Sequence, residues 1–135
     1  MATKTGIYIE GIGRRKTATA RVRLTPATAT TIVVNDKPHT EYFKHLSLQG
    51  VLASVLETEN AGIEHYTITV KVLGGGISAQ ADAIRLGIAR ALVKEKGARR
   101  TPLKREGYLK RDPRSVERKK FGLRKARKRP AWSKR

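Results

Sequence analysis

The chain has 135 residues, of which 30 are Lys or Arg and 11 are Asp or Glu, for a formal net charge of +19. Hydrophobic residues make up 39% and aromatics 5%, which limits the chain to one modest, mostly aliphatic core. With no Cys, a disulfide framework, a thiolate metal site and a Cys nucleophile are excluded.

From the N-terminus, Met1 to Gly6 shows no apolar core of the signal-peptide kind. Gly6 to Ile12 reads as a strand with Ile7, Ile9 and Gly11 on one face, followed by a basic turn at Gly13-Arg14-Arg15-Lys16. Ala20, Val22 and Leu24 alternate with Arg21 and Arg23, the pattern of a strand with one apolar and one basic face. Thr25 to Thr30, with Pro26, reads as a loop, and Thr31 to Val34 as a short strand ended by the turn pair Asn35-Asp36. Leu46 to Leu56 has helical spacing, and Tyr66, Ile68, Val70 and Val72 alternate with polar residues as a clear strand. After Gly74-Gly75-Gly76 a long helix follows, with an apolar stripe through Ile77, Ala81, Ile84, Ile88 and Ala91. Ser78 is the expected N-cap, Asp82 suits the first turns and Gly97 the stop. Thr101-Pro102 predicts the cap and first residue of a further short helix ending near Gly107, and Asp112-Pro113 a local helix start. Strands gathered early and helices late predict an α+β domain in two layers. No apolar run approaches the ~20 residues of a membrane span.

The charge is unevenly spread. Residues 1–96 hold 13 basic and 8 acidic residues, a balance of +5, whereas residues 97–135 hold 17 and 3, a balance of +14. Such a block repels itself and buries too little apolar surface to offset the entropy of ordering. The expected organisation is therefore a globular domain over 1–105 and an extended basic tail over 106–135. A +19 chain requires a polyanion, with nucleic acid the first candidate and an anionic membrane the second.

The constellations of chemistry are missing. Gly74–Gly76 lacks the Lys and Ser/Thr of a nucleotide-hydrolysing loop, and Gly11-Ile12-Gly13 lacks the third glycine of a dinucleotide fingerprint. The triple glycine reads either as a tight turn that lets helix and sheet pack, or as a cradle for an RNA phosphate. His39, His45 and His65 have no metal-ligand spacing, so neither a cofactor nor a metal is expected. Arg14, Arg15, Lys16, Arg21 and Arg23 form a basic patch that is either a solvated face or a phosphate contact. Lys119-Lys120 and Arg124 to Arg129, interleaved with Phe121, Gly122 and Trp132, signal a polyanion without specifying which one.

Taken together, these segments resemble the bacterial-type small-subunit ribosomal protein S nine family over nearly the whole chain. The matching stretches are Gly11 to Lys16, Ala20 to Leu24, Gly74 to Ala81, Ile84-Arg85, Gly87 to Leu92, Arg111 to Arg114, Glu117 to Lys120, Lys125 to Lys128 and the terminal Ser133-Lys134-Arg135. Two departures are the Thr/Ala-rich Thr25 to Thr31, where a Gly/Asn turn is usual, and Leu86, where a His is common.

The resemblance implies a two-layer α/β sandwich of the ribosomal protein S five domain two-like type, with a left-handed crossover. It implies a structural constituent of the ribosome, cytoplasmic and bacterial, seated on the 3′ major domain of ribosomal RNA in the small-subunit head. Proteins S seven, S ten and S fourteen are the implied neighbours. The residues then expected on ribosomal RNA are Arg14, Arg15, Lys16, Arg21, Arg23, Gly74, Gly75, Gly76, Gln80, Arg111, Arg114, Arg118, Lys119, Lys120, Arg124, Lys125, Arg127, Lys128 and Arg129. Ser133, Lys134 and Arg135 are implied to approach the anticodon stem-loop of peptidyl-site transfer RNA. The alternatives that composition leaves open are a free DNA-binding protein with a basic tail and, more weakly, a membrane-active cationic protein.

Overall fold

A computed structural model describes residues 7–59 and 61–134. The expected first-strand residue Gly6, the rest of Met1–Gly6 and the expected transfer RNA contact Arg135 lie outside the described residues. The described chain builds one five-stranded sheet with four α-helices, a mixed α+β architecture.

The strands are β1 (Ile9–Arg15), β2 (Ala18–Pro26), β3 (Thr31–Val34), β4 (Lys37–Pro38) and β5 (Tyr66–Leu73), in the order β1-β2-β5-β3-β4. All neighbours are antiparallel except β3 and β5. Strict alternation sets the faces. Ala18, Ala20, Val22 and Leu24 of β2 and Ile68, Val70 and Val72 of β5 are buried on one side, while the residues between them face outward. The expected basic turn at Gly13–Lys16 is instead mostly strand. Pairing of Arg14 with Thr19 and Arg15 with Ala18 carries the ladder on, and the chain reverses at Lys16, which takes φ 50°. The expected loop starts later too, because Thr25 and Pro26 still pair with Thr67 and Tyr66.

Asn35 and Asp36 both have positive φ, 46° and 66°, and turn β3 into the two-residue β4, a strand too short for sequence alternation to reveal. Asn35 also exchanges two 3.0 Å side-chain hydrogen bonds with the backbone of Val72, extending the β3–β5 ladder by one rung.

The helical layer holds α1 (His39–Tyr42), α2 (Leu46–Leu56), α3 (Ile77–Glu95) and α4 (Arg100–Arg105). The stripe predicted for α3 is too narrow. Besides Ala81, Ile84, Ile88 and Ala91, the residues Ala79, Ala83, Leu86, Ala89 and Leu92 are buried, because α3 packs against both the sheet and α2. Ile77, assigned to the stripe, is 54% exposed at the helix start. Leu86 is 4% exposed and lines a small cleft with Arg15, Asp82 and Asp112.

The glycines of β1 have a packing role. A Cβ on Gly13 would lie 1.7 Å from the Ala83 carbonyl oxygen, and one on Gly11 would lie 2.3 Å from that of Gly87. β1 and α3 therefore meet backbone to backbone, which accounts for Gly11 and Gly13 by packing.

Two expected helix starts are corrected. Ser78 lies inside α3, whose N-cap is Gly76 in extended conformation, since the positive-φ turn at Gly74 (76°) and Gly75 (66°) delivers the chain into the helix directly. Thr101-Pro102 sits within α4, because a 3-10 turn at Gly97–Arg99 runs straight into that helix. The expected stop near Gly107 is present, with φ 80°.

Candidate nucleic-acid interface

Three features bring the expected site residues together, beginning with the outer face of the sheet. Arg21 and Arg23 project from β2 beside Glu10 of β1, whose carboxylate accepts a 2.5 Å bond from Arg21 Nε and lies 4.0 Å from Arg23 Nε. The bond from Arg21 holds the Glu10 carboxyl below its ordinary value, against an opposing effect of burial. Arg23 also lies over the Tyr8 ring, 4.5 Å from its centroid. Arg14 and Lys16 are exposed at the adjoining corner.

The second feature is the glycine junction before α3. Gly74, Gly75 and Gly76 are exposed, and a Cβ on Gly74 would meet the Thr17 carbonyl oxygen at 2.6 Å, so this turn packs tightly against the β1–β2 turn. Gln80, expected on RNA, braces the turn internally. Its amide donates to Gly74 O at 2.9 Å, and its oxygen accepts from the Tyr42 hydroxyl at 2.6 Å.

The third feature is the root of the basic tail. Asp112 accepts from Arg15 of β1, from the backbone N–H of Arg114 at 2.9 Å and from Arg114 Nε and Nη2 at 3.0 and 2.8 Å. The hydrogen bonds from Arg114 hold the Asp112 carboxyl far below the carboxylate range. Arg15 in turn lies 3.7 Å from Asp82 of α3, which also pairs with Arg85 at 3.4 Å. No helix starts at Asp112-Pro113. The Asp112 side chain instead caps its own backbone two residues on, an Asx turn, and is held by a cation from the domain. Arg15 is thus placed as a fastener, with its side chain only 17% exposed. The fastening leaves an open cleft of about 290 Å³ between Arg15 and Lys16 on one side and Arg114, Ser115 and Val116 on the other. Arg111 lines a smaller cleft with Arg14, Arg85 and Tyr108, where Arg85 lies 5.6 Å from the Tyr108 ring centroid.

Beyond the root the chain is exposed and has local turns rather than regular elements. Glu117 pairs with Lys120 and, at 3.0 Å, with Arg127, while the backbone N–H of Arg124 bonds the Lys128 carbonyl at 2.8 Å. Arg118 donates to the Lys119 carbonyl at 3.2 Å. Arg124, Lys125, Lys128 and Arg129 have no carboxylate partner among the described residues. Phe121 and Trp132 are 96% and 86% exposed. Ser133 and Lys134 are also exposed, at the end of the described chain.

One cation of the C-terminal third is not available to a polyanion at all. Arg99 is 2% exposed and donates to Ala61 O (3.2 Å), Gly62 O (2.9 Å), the Tyr66 hydroxyl (3.0 Å) and Glu95 (2.5 Å). Burial works against its charge, but the bonds to Tyr66 and Glu95 outweigh it and raise its pKa. The sequence signal for this cluster was the four-residue spacing of Glu95 and Arg99, which a count of basic residues passes over. Among the described residues no cluster of His, Asp or Glu is arranged to hold a metal, and no helix is long and apolar enough to cross a membrane.

The sequence that builds this surface matches a known family. The family model for ribosomal protein S9/S16 matches residues 13–135. The chain belongs to this family. Members of the S9/S16 family are structural ribosomal proteins and not enzymes. Small ribosomal subunit protein uS9 of Synechococcus sp. strain JA-3-3Ab is 57% identical over 127 residues, covering 93% of this chain and 90% of that protein. The uS9 protein of Gloeothece citriformis strain PCC 7424 is 52% identical over 136 residues, 98% of this chain and 96% of that protein. That of Synechocystis sp. strain PCC 6803 is 51% identical over 128 residues, covering 93% and 90%. These family relatives are all cyanobacterial.

Proposed function

We propose that the chain is a structural constituent of the small ribosomal subunit that docks its domain on ribosomal RNA and threads its tail between phosphates. The observation that carries this reading is the junction at Asp112. A tail in which Arg124, Lys125, Lys128 and Arg129, among the described residues, lack carboxylate partners leaves the domain at a point where Arg15 and Arg114 bind one carboxylate. The tail is therefore aimed from its root, which a non-specific counterion tail does not need. Residues 1–105 are the docking domain and 106–135 the tail. The parallel pairing of β3 and β5 across α2 supports the sandwich of the ribosomal protein S five domain two-like type.

In this reading the domain sits on the 3′ major domain in the head, beside proteins S seven, S ten and S fourteen. The tail reaches the peptidyl site, where Ser133, Lys134 and Arg135 meet the anticodon stem-loop of transfer RNA. Two tests apply. The chain should sediment with small subunits and not with DNA. Subunits whose copy ends at Ser133 should assemble normally, bind peptidyl-site transfer RNA more weakly and choose start codons less faithfully. Unchanged affinity and unchanged start-codon choice would refute the terminal contact.

A further inference from the structure

We propose that the open face of the sheet is itself a docking surface for A-form RNA, seated in the shallow minor groove of a paired segment. This inference rests on the ribosomal-RNA reading above and names the face and the form of RNA it takes.

Because the helices cover one side of the sheet, the other side presents four aligned cross-strand pairs of β2 and β5, of which the last three are Arg21 with Lys71, Arg23 with Thr69, and Thr25 with Thr67, after Thr19 with Leu73 at the edge. Successive pairs on one face are about 7 Å apart. The face therefore grades from two cations, through a cation and a hydroxyl, to two hydroxyls. Arg21, Arg23, Thr69 and Lys71, with Val33, Asp36 and Val70, line a depression of about 100 Å³, too small for a stacked base; its three cations against one carboxylate leave it open to a phosphate or ribose edge.

Each kind of group has a counterpart in duplex RNA. The wide minor groove of an A-form helix displays 2′-hydroxyls flanked by phosphates, and proteins read it through those two groups rather than through base edges. A threonine hydroxyl both donates and accepts, as a 2′-hydroxyl does. Unpaired RNA, by contrast, is held by stacking on aromatic faces. The aromatic bordering this surface, Tyr8, has the Arg23 guanidinium over its ring, and Tyr66 points into the core. Tyr8 is 44% exposed, but one face of its ring is already taken by Arg23, and among the described residues no second ring stands beside it to hold a further base. A protein partner fits less well, because the exposed apolar residues of this face, Ile12 and Leu73, lie at β1 and at the end of β5 rather than at its centre.

The test uses the full-length chain and fluorescence anisotropy at one fixed salt concentration. The probes are a paired RNA hairpin, a DNA hairpin of the same sequence and an unstructured RNA of the same length. The wild type should prefer the paired RNA to both others. Replacing Thr67 and Thr69 together by Val keeps the strand-favouring β-branched shape and removes only the hydroxyls. This double variant should lose about tenfold in the ratio of RNA-hairpin to DNA-hairpin affinity, the effect of two neutral hydrogen bonds. Lys71→Gln should weaken both hairpins alike and lower the salt slope by about one. Removing residues 121–135 should weaken all three probes and leave the ratio intact.

An unchanged ratio in the double Val variant would overturn the proposal, as would tighter binding of the unpaired RNA by the wild type. A ratio lost on tail removal would also overturn it, by assigning the preference to the tail. Failure of the wild type to bind either RNA would instead refute the ribosomal-RNA reading on which the proposal stands.

Discussion

Two arginines show how differently one residue type is used here. Arg99 has its donors satisfied by two backbone carbonyls, a tyrosine hydroxyl and a carboxylate inside the fold. Replacing it by Met removes the cation and strands Glu95 and Tyr66, which should cost about 3 kcal/mol of unfolding free energy in denaturant titration. A loss under about 1 kcal/mol would mean that water replaces the arginine readily. Arg15 meets Asp112 at the surface, and there the consequence is geometric rather than energetic. The chain has no Cys, so paired spin labels can be placed cleanly at Thr17→Cys and Ser115→Cys. Asp112→Asn should broaden the label-to-label distance distribution, and an unchanged distribution would contradict the fastening. The pH dependence follows from the lowered Asp112 pKa. A carboxyl depressed in the folded state contributes fully above its ordinary value near 3.8 and is lost only as pH falls through the folded value. The distribution should therefore stay narrow from pH 7 to about 4 and broaden only below that. Neither partner of Arg15 was legible in the sequence, since 97 residues separate it from Asp112 and only the fold brings them together.

At the scale of elements, alternation and helical spacing located most of the architecture. β2, β5, α2 and α3 lie where their apolar periods place them, because each buries one consistent face. What the periods missed has identifiable causes. β4 is two residues long, α1 is four, and Ser78 was displaced as a cap by a glycine turn that starts the helix two residues earlier. The seam of Gly11 and Gly13 against α3 was invisible because glycine carries no hydropathy signal, yet it fixes how closely helix and sheet approach. Two Gly→Ala substitutions separate packing from propensity. Gly13→Ala drives a methyl into the α3 backbone and should destabilise the fold by about 3 kcal/mol or more. Gly50→Ala, in α2 with nothing within 4 Å, should stabilise it by roughly 0.5–1 kcal/mol. Thermal unfolding of both variants checks the pair, and equal shifts would remove the packing argument.

For the whole molecule, the net charge of +19 resolves into separate uses. Arg99 is consumed inside the fold, and Arg15 fastens the tail. Arg21, Arg23 and Lys71 stand on the open sheet face, and among the described residues Arg124, Lys125, Lys128 and Arg129 have no carboxylate partner. Charge counts alone suggest the division between a domain and a basic tail. They do not give the tail's direction, because the root depends on a tertiary ion pair. The most direct test of a penetrating tail is the dependence of ribosomal-RNA affinity on salt, for the full chain and for one lacking residues 121–135. That segment holds seven cations, and each neutralised phosphate contributes roughly 0.7 to 0.9 to the log–log slope. The slope should fall by several units on deletion while the thermal unfolding of the domain is unchanged; an unaltered slope would contradict the account.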